Sequence, residues 1–170
     1  MTRPLRIDPI AEARRQWEGR WPDAPLAAMS AVTSLMRAQQ VLLAHLNEAL
    51  RPFGLTFPRY EALMLLLFTR RGALPLGKIG ERLQVHRTSV TNIIDKLEAD
   101  GLVRRVPHTE DRRTTLAQIT DEGRRVALAA TEGMHAIDFG LGALTEDQQE
   151  ALTTLLRGLR VAAGDFAEPA

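Results

Sequence analysis

The chain has 170 residues, is 45% hydrophobic and 25% charged, and carries a formal charge of +1, the profile of an ordinary globular protein rather than a polybasic coat protein. It has no cysteine, which excludes disulfide scaffolds, zinc fingers and thiol-based redox sensing. No run of about 18 apolar residues is present, and Arg3, Arg6, Asp8 and Glu12 leave no room for a secretory apolar core, so the expectation is a cytoplasmic protein without a membrane contact.

Residues 8–20 have helical composition, with Ile10, Ala13 and Trp17 on one face, before Pro22 and Pro25 interrupt. Two tryptophans in a chain so poor in aromatics predict that this N-terminal extension, residues 1–25, docks onto something. From about Leu26 to Arg51, Met29, Val32, Met36, Leu43, Leu46 and Leu50 recur at helical spacing, until Pro52 and Gly54 stop the helix. Pro58 suits the first turn of the next helix, expected to reach about Arg70 with Leu63, Leu66 and Leu67 toward the core and Gly72 at its end. Leu74 then starts a short strand.

Two short helices follow, the first through Ile79 and Leu83, the second from Arg87 to Asp100. Gly80 lies where the two must cross closely. Val103–Val106 and Thr115–Ile119 read as paired strands, with Pro107 to Arg113 as the turn between them. Thr120 caps a helix expected to continue to about Gly140, with Asp121 and Glu122 at its positive end. Thr145 with Gln148 forms a capping-box pattern that opens a last helix bearing Leu152, Leu155, Leu156, Leu159 and Phe166. The fold class is therefore mainly α, a winged helix-turn-helix at 53–120 with a small hairpin wing, flanked by a helical dimerisation region at 26–52 and 121–166.

The second short helix sets Val90, Ile93, Ile94 and Leu97 on one side and Thr88, Ser89, Thr91, Asn92, Asp95 and Lys96 on the other. Short polar groups behind Arg87, followed by a lysine, suit a helix entering the major groove of DNA. There Asn pairs bidentately with adenine and Arg with guanine, while Lys96 fits a phosphate. A plain solvated helix face would look similar by itself. The hairpin tip decides, because Arg112 and Arg113 beside Asp111 accumulate like charge that calls for an anion, and the negative potential of a narrow minor groove attracts inserted arginine. His108 stands near enough to the tip to touch a phosphate. A winged-helix module used only for protein association is the alternative, and it leaves the two arginines unexplained.

The order FGLTFPRYEALMLL, GALPLGKIGERLQVHRTSVTNIIDKLEADGLVRR, then DRRTTLAQIT with DEG, resembles the multiple antibiotic resistance regulator (MarR) family from about Leu26 to Phe166, most strongly between Gly54 and Gly123. The resemblance implies a transcriptional regulator, most often a repressor, that binds a palindromic double-stranded DNA operator as a homodimer built by the first helix of the matched region and the last two. It implies that Arg113 enters the minor groove, that Asp111 is its partner, and that residues 87–100 form the recognition helix. His86 stands where the family commonly has a Ser or Thr cap, and Leu76-Gly77 gives the preceding helix a weak one.

Regulators of this kind often sense a small aromatic or anionic effector in a crevice beside the dimer helices. The candidates are Met36, His45, Phe57, Tyr60 and Met64, with Trp17 and Trp21 closing it, although a Met and aromatic stripe equally describes a core. The tryptophan-bearing extension resembles the urate-responsive branch, but Ile93 replaces that branch's arginine and Glu61 its aspartate. His45, His86, His108 and His135 are dispersed, with no helical pair for zinc, so neither a metal nor a cofactor is expected. No G-x-S-x-G, H-E-x-x-H or Gly-rich phosphate loop occurs, and no enzyme is expected.

Overall fold

The computed structural model describes residues 5–108 and 114–166. Two compact units divide the chain, Met1–His45 and Leu46–Ala170. In the first, α1 (Pro9–Arg20) opens with Asp8 accepting from the Ile10 N–H at 2.9 Å and with proline at the first helical position, where no donor is lost. It buries no residue. Its Trp17 and Trp21 rings meet edge-on at 5.1 Å, and the Arg20 guanidinium lies 5.4 Å from the Trp21 ring. The helix α2 (Leu26–Leu50) passes the unit boundary; in the first unit its Val32, Met36 and Val41 are exposed.

The second unit holds the core. The end of α2 contributes Leu46 and Leu50, and Gly54, at φ +69°, turns the chain into α3 (Phe57–Leu67). A three-stranded antiparallel sheet is ordered β1 (Ala73–Pro75), β3 (Thr115–Ile119), β2 (Val103–Pro107). Between strands run α4 (Leu76–Leu83) and α5 (Arg87–Ala99); α6 (Asp121–Ala136) and α7 (Glu146–Ala162) follow the sheet. The strand period of two sends Val103, Ala117 and Ile119 inward, onto a core completed by Leu63 and Leu66 of α3, Ile79 of α4, Ile94 and Leu97 of α5, and Ala127, Ala130 and Met134 of α6.

Four boundaries differ from the sequence expectation, each for a local reason. Helix α3 stops at Leu67 instead of Arg70, because the Thr69 hydroxyl donates to the Leu66 carbonyl and the chain must turn to place Ala73 opposite Gln118. Pro107 belongs to β2, not to the turn: it pairs with Thr115 at the last register position, where a missing N–H is tolerated. Helix α6 ends at Ala136, since Asp138 and Phe139 adopt φ +50° and +47°, which no α-helix accommodates. Phe166 lies beyond α7, where Arg157 and Arg160 flank its ring at 5.3 and 5.1 Å.

Candidate nucleic-acid interface

Helices α4 and α5 are joined by a tight turn. Gln84 takes a left-handed φ of +53° and the Val85 N–H donates back to the Gly80 carbonyl at 3.2 Å. A Cβ on Gly80 would approach Val90 Cγ2 to 3.1 Å, so the crossing anticipated at that glycine is close. Helix α4 has no side-chain cap and follows directly from β1. Helix α5 is capped by an unusual residue: the His86 Nδ1 accepts from the Thr88 N–H at 3.3 Å and lies 3.1 Å from the Thr88 hydroxyl. At its other end the N–H groups of Gly101 and Leu102 donate to the carbonyls of Glu98 and Leu97, with Gly101 at φ +71°, the double bond that closes a helix and redirects the chain into a strand.

Between those ends the residues divide as their spacing predicted. Val90, Ile94 and Leu97 are fully buried and Ile93 is half-buried. Thr88, Ser89, Thr91, Asn92 and Lys96 are exposed together. Arg87 is the first residue of the helix. Asp95 shares the exposed side and would repel phosphate, but it is engaged: Arg105 of β2 donates to its carboxylate at 2.6 Å and also pairs with Glu98, whose carboxylate accepts the Arg105 backbone N–H at 2.9 Å. The hydrogen bond to Asp95, helped by Glu98, raises the Arg105 pKa against the opposing effect of partial burial, so this cation stays charged. Arg105 therefore fastens the polar helix to the wing and pairs the carboxylate that faces outward. Arg59 does similar work at the far end, reaching Asp100 and the Gly54 carbonyl, both at 3.2 Å.

The wing begins as expected. Arg104 pairs with Gln118 across the strands, its Nε donating to the amide oxygen at 2.9 Å, and the His108 N–H donates to the Thr114 carbonyl at 3.0 Å. Asp111, Arg112 and Arg113, the predicted tip, lie outside the described residues. His108, Thr114 and Thr115 share a cleft with Thr91 of α5 and the first turn of α4.

The effector candidates are placed as follows. In the first unit Trp17 and Trp21 touch each other, and Met36 and His45 are exposed. In the second, the Phe57 and Tyr60 rings lie 6.3 Å apart. Tyr60 is buried and its hydroxyl lies 3.0 Å from Thr131 Oγ1. Thr131 gives its own proton toward the Ala127 carbonyl or the Met64 sulfur. Glu61 is exposed, yet packing around its carboxyl raises its pKa.

Sequence reasoning overlooked Arg105 and Arg59. The available signal was the alternation of β2, which sends Arg105 to the face opposite Arg104, together with two acids, Asp95 and Glu98, one helical turn apart. No helix among the described residues is long and apolar enough to cross a membrane.

Comparison with known proteins gives a consistent result. Residues 55–115 match the model of the MarR family. The chain is 33% identical over 134 residues to the HTH-type transcriptional regulator MhqR of Bacillus subtilis (strain 168), covering 78% of this chain and 90% of that protein. Among solved structures, Sco5413, a MarR family transcriptional regulator from Streptomyces coelicolor, is 54% identical and superposes with a TM-score of 0.77 over 84% of this chain and 99% of the other. Sco3205, a MarR family regulator from the same organism in complex with DNA, is 26% identical with a TM-score of 0.71, over 81% of this chain and 90% of its own.

Proposed function

The chain belongs to the MarR family and is a DNA-binding transcriptional regulator, and from that premise we propose that it is a repressor: a cytoplasmic homodimer that binds a palindromic operator and releases it when a small aromatic or anionic effector binds. The observation that carries this reading is the exposed polar side of α5, with Thr88, Ser89, Thr91, Asn92 and Lys96 exposed and Asp95 paired with Arg105. A two-fold dimer holds its recognition helices about 34 Å apart, one turn of DNA. Support for a dimer comes from α7, where Leu155 and Leu159 are 74% and 58% exposed, Leu152 and Leu156 are only half-buried, and no residue is fully buried among the described residues. Apolar stripes of that kind usually meet a partner. In this reading 26–52 and 121–166 form the dimerisation region, Arg87 and His108 contact DNA beside the exposed α5 residues, and Arg113, restrained by Asp111, enters the minor groove with Arg112 nearby.

Operator binding by DNA upstream of the gene, followed by fluorescence anisotropy, tests it. Binding is expected to prefer an inverted repeat and to weaken steeply with salt. Asn92→Ala is expected to relax base preference at one position per half-site and to cost about 1–3 kcal/mol. Equal, weak binding to unrelated duplexes would overturn the reading in favour of a protein-association role.

A further inference from the structure

We propose that the cleft at the root of the wing, on the sheet face turned away from α5, binds a small oxyanion, a phosphate or carboxylate group, through Arg104 and Arg124. Two guanidinium groups line this cleft, together with Gln118, Thr120 and Asp121. Arg124, in the first turn of α6, is half-buried; its backbone N–H donates to the Thr120 carbonyl at 2.9 Å, but its guanidinium has no hydrogen bond or ion pair with any described residue. Half-buried cations are ordinarily paired, because desolvation without a partner is costly. Its guanidinium lies against Gly72, whose left-handed φ of +63° calls for glycine and leaves no side chain between the two.

Arg104 reaches the same cleft from β2. Its Nε is held by the neutral Gln118 amide at 2.9 Å, which leaves its terminal nitrogens without a partner among the described residues. The Thr120 hydroxyl is directed elsewhere: it accepts from the Gly123 N–H, and its proton is shared between the Gly101 and Leu102 carbonyls. Asp121 makes no ion pair with either arginine among the described residues. Two guanidiniums against one carboxylate leave one positive charge in excess, beside the positive end of a 16-residue helix. A planar fork of donors on each arginine matches an oxyanion bidentately, and charge-assisted bonds of this kind are the strong ones. The contrast within β2 locates the function. Arg105, one residue on, points to the opposite face and satisfies Asp95 and Glu98, whereas Arg104 and Arg124 are left unsatisfied on a face that no recognition helix uses.

The test is a titration of the full chain with inorganic phosphate against chloride at matched ionic strength, read by the arginine Nε–H signals in nitrogen-15 spectra. Saturable shifts at Arg104 and Arg124 are expected in phosphate alone. Arg124→Gln and Arg104→Gln should each weaken the response about tenfold. Arg124→Lys keeps the charge without the fork and should weaken it less, while Arg125→Gln, whose arginine pairs with Glu122 outside this cleft, should leave it intact. A non-saturating response, or an unchanged one in Arg124→Gln with a native melting curve, overturns the proposal. So does a loss of operator affinity and salt slope in Arg124→Gln without any phosphate saturation, which would assign the arginines to the DNA backbone instead.

Discussion

Helices α5 and α7 carry apolar stripes of similar quality and meet opposite fates. Over 13 residues α5 buries Val90, Ile94 and Leu97 completely and is tied at both ends and along its side, by His86, by the Gly101 turn and by Arg105. Over 17 residues α7 has a complete capping box and an acidic first turn, yet leaves Leu152 and Leu156 only half-buried and Leu155 and Leu159 exposed. Local signals make both helices; only α5 has its stripe satisfied by its own chain. The difference teaches that capping decides where a helix starts, whereas burial decides what it is for.

The largest effect expected from this contrast is on assembly. If α7 forms the proposed two-fold contact, Leu155→Glu with Leu159→Glu should convert a dimer to a monomer in sedimentation velocity and abolish operator binding, because that contact would bury four leucines, each worth about 1.5–3 kcal/mol. A double variant that remains dimeric would break the comparison. Next, Ile94→Ala should lower stability by about 2–5 kcal/mol in urea denaturation, through the cavity it leaves in a closed core; a loss below about 1 kcal/mol would mean α5 is held by its ends alone. Arg105→Ala should weaken operator binding about tenfold and barely move the melting temperature, since its pairs are partly exposed and the uncovered Asp95 then repels phosphate. Adding Asp95→Asn should recover part of that affinity, which a purely structural role would not predict.

The smallest effect concerns Glu61. Packing raises its folded pKa above the ordinary 4.5, so its contribution is fully present below the unfolded value and is lost as pH rises through the folded one. Glu61→Gln should therefore melt slightly above the parent at neutral pH, with the gap closing as the medium becomes acid enough to protonate the carboxyl. Calorimetry across pH checks it, and a gap that widens in acid would reverse the sign.

Much of the interface was legible because it depends on short periods. A 3.6-residue repeat placed Val90, Ile94 and Leu97 opposite Thr91, Asn92 and Lys96, and the caps Thr120 and Thr145 are read from their own neighbours. What the sequence hid is non-local or chemically unusual. Alternation in β2 separates Arg104 from Arg105 but does not say that α5 lies under the second. His86 looked like a missing cap, since imidazole is seldom counted among cap acceptors, yet its Nδ1 fills that role. The end of α6 was hidden for a different reason: Asp138 and Phe139 adopt left-handed φ without being glycine. The stripe of α7 was visible, but no local pattern says what, if anything, packs on it.

Gly123 sets how closely the start of α6 approaches the turn that ends α5. A Cβ there would strike the Leu102 carbonyl, which also accepts the Thr120 N–H at 3.0 Å and shares the Thr120 hydroxyl proton with the Gly101 carbonyl. The start of α6 and the turn that ends α5 are thus joined backbone to backbone, with no compliant side chain between them. A tilt of α6 would therefore carry the C-terminal end of α5 with it, because the two share a joint rather than a cushion of side chains.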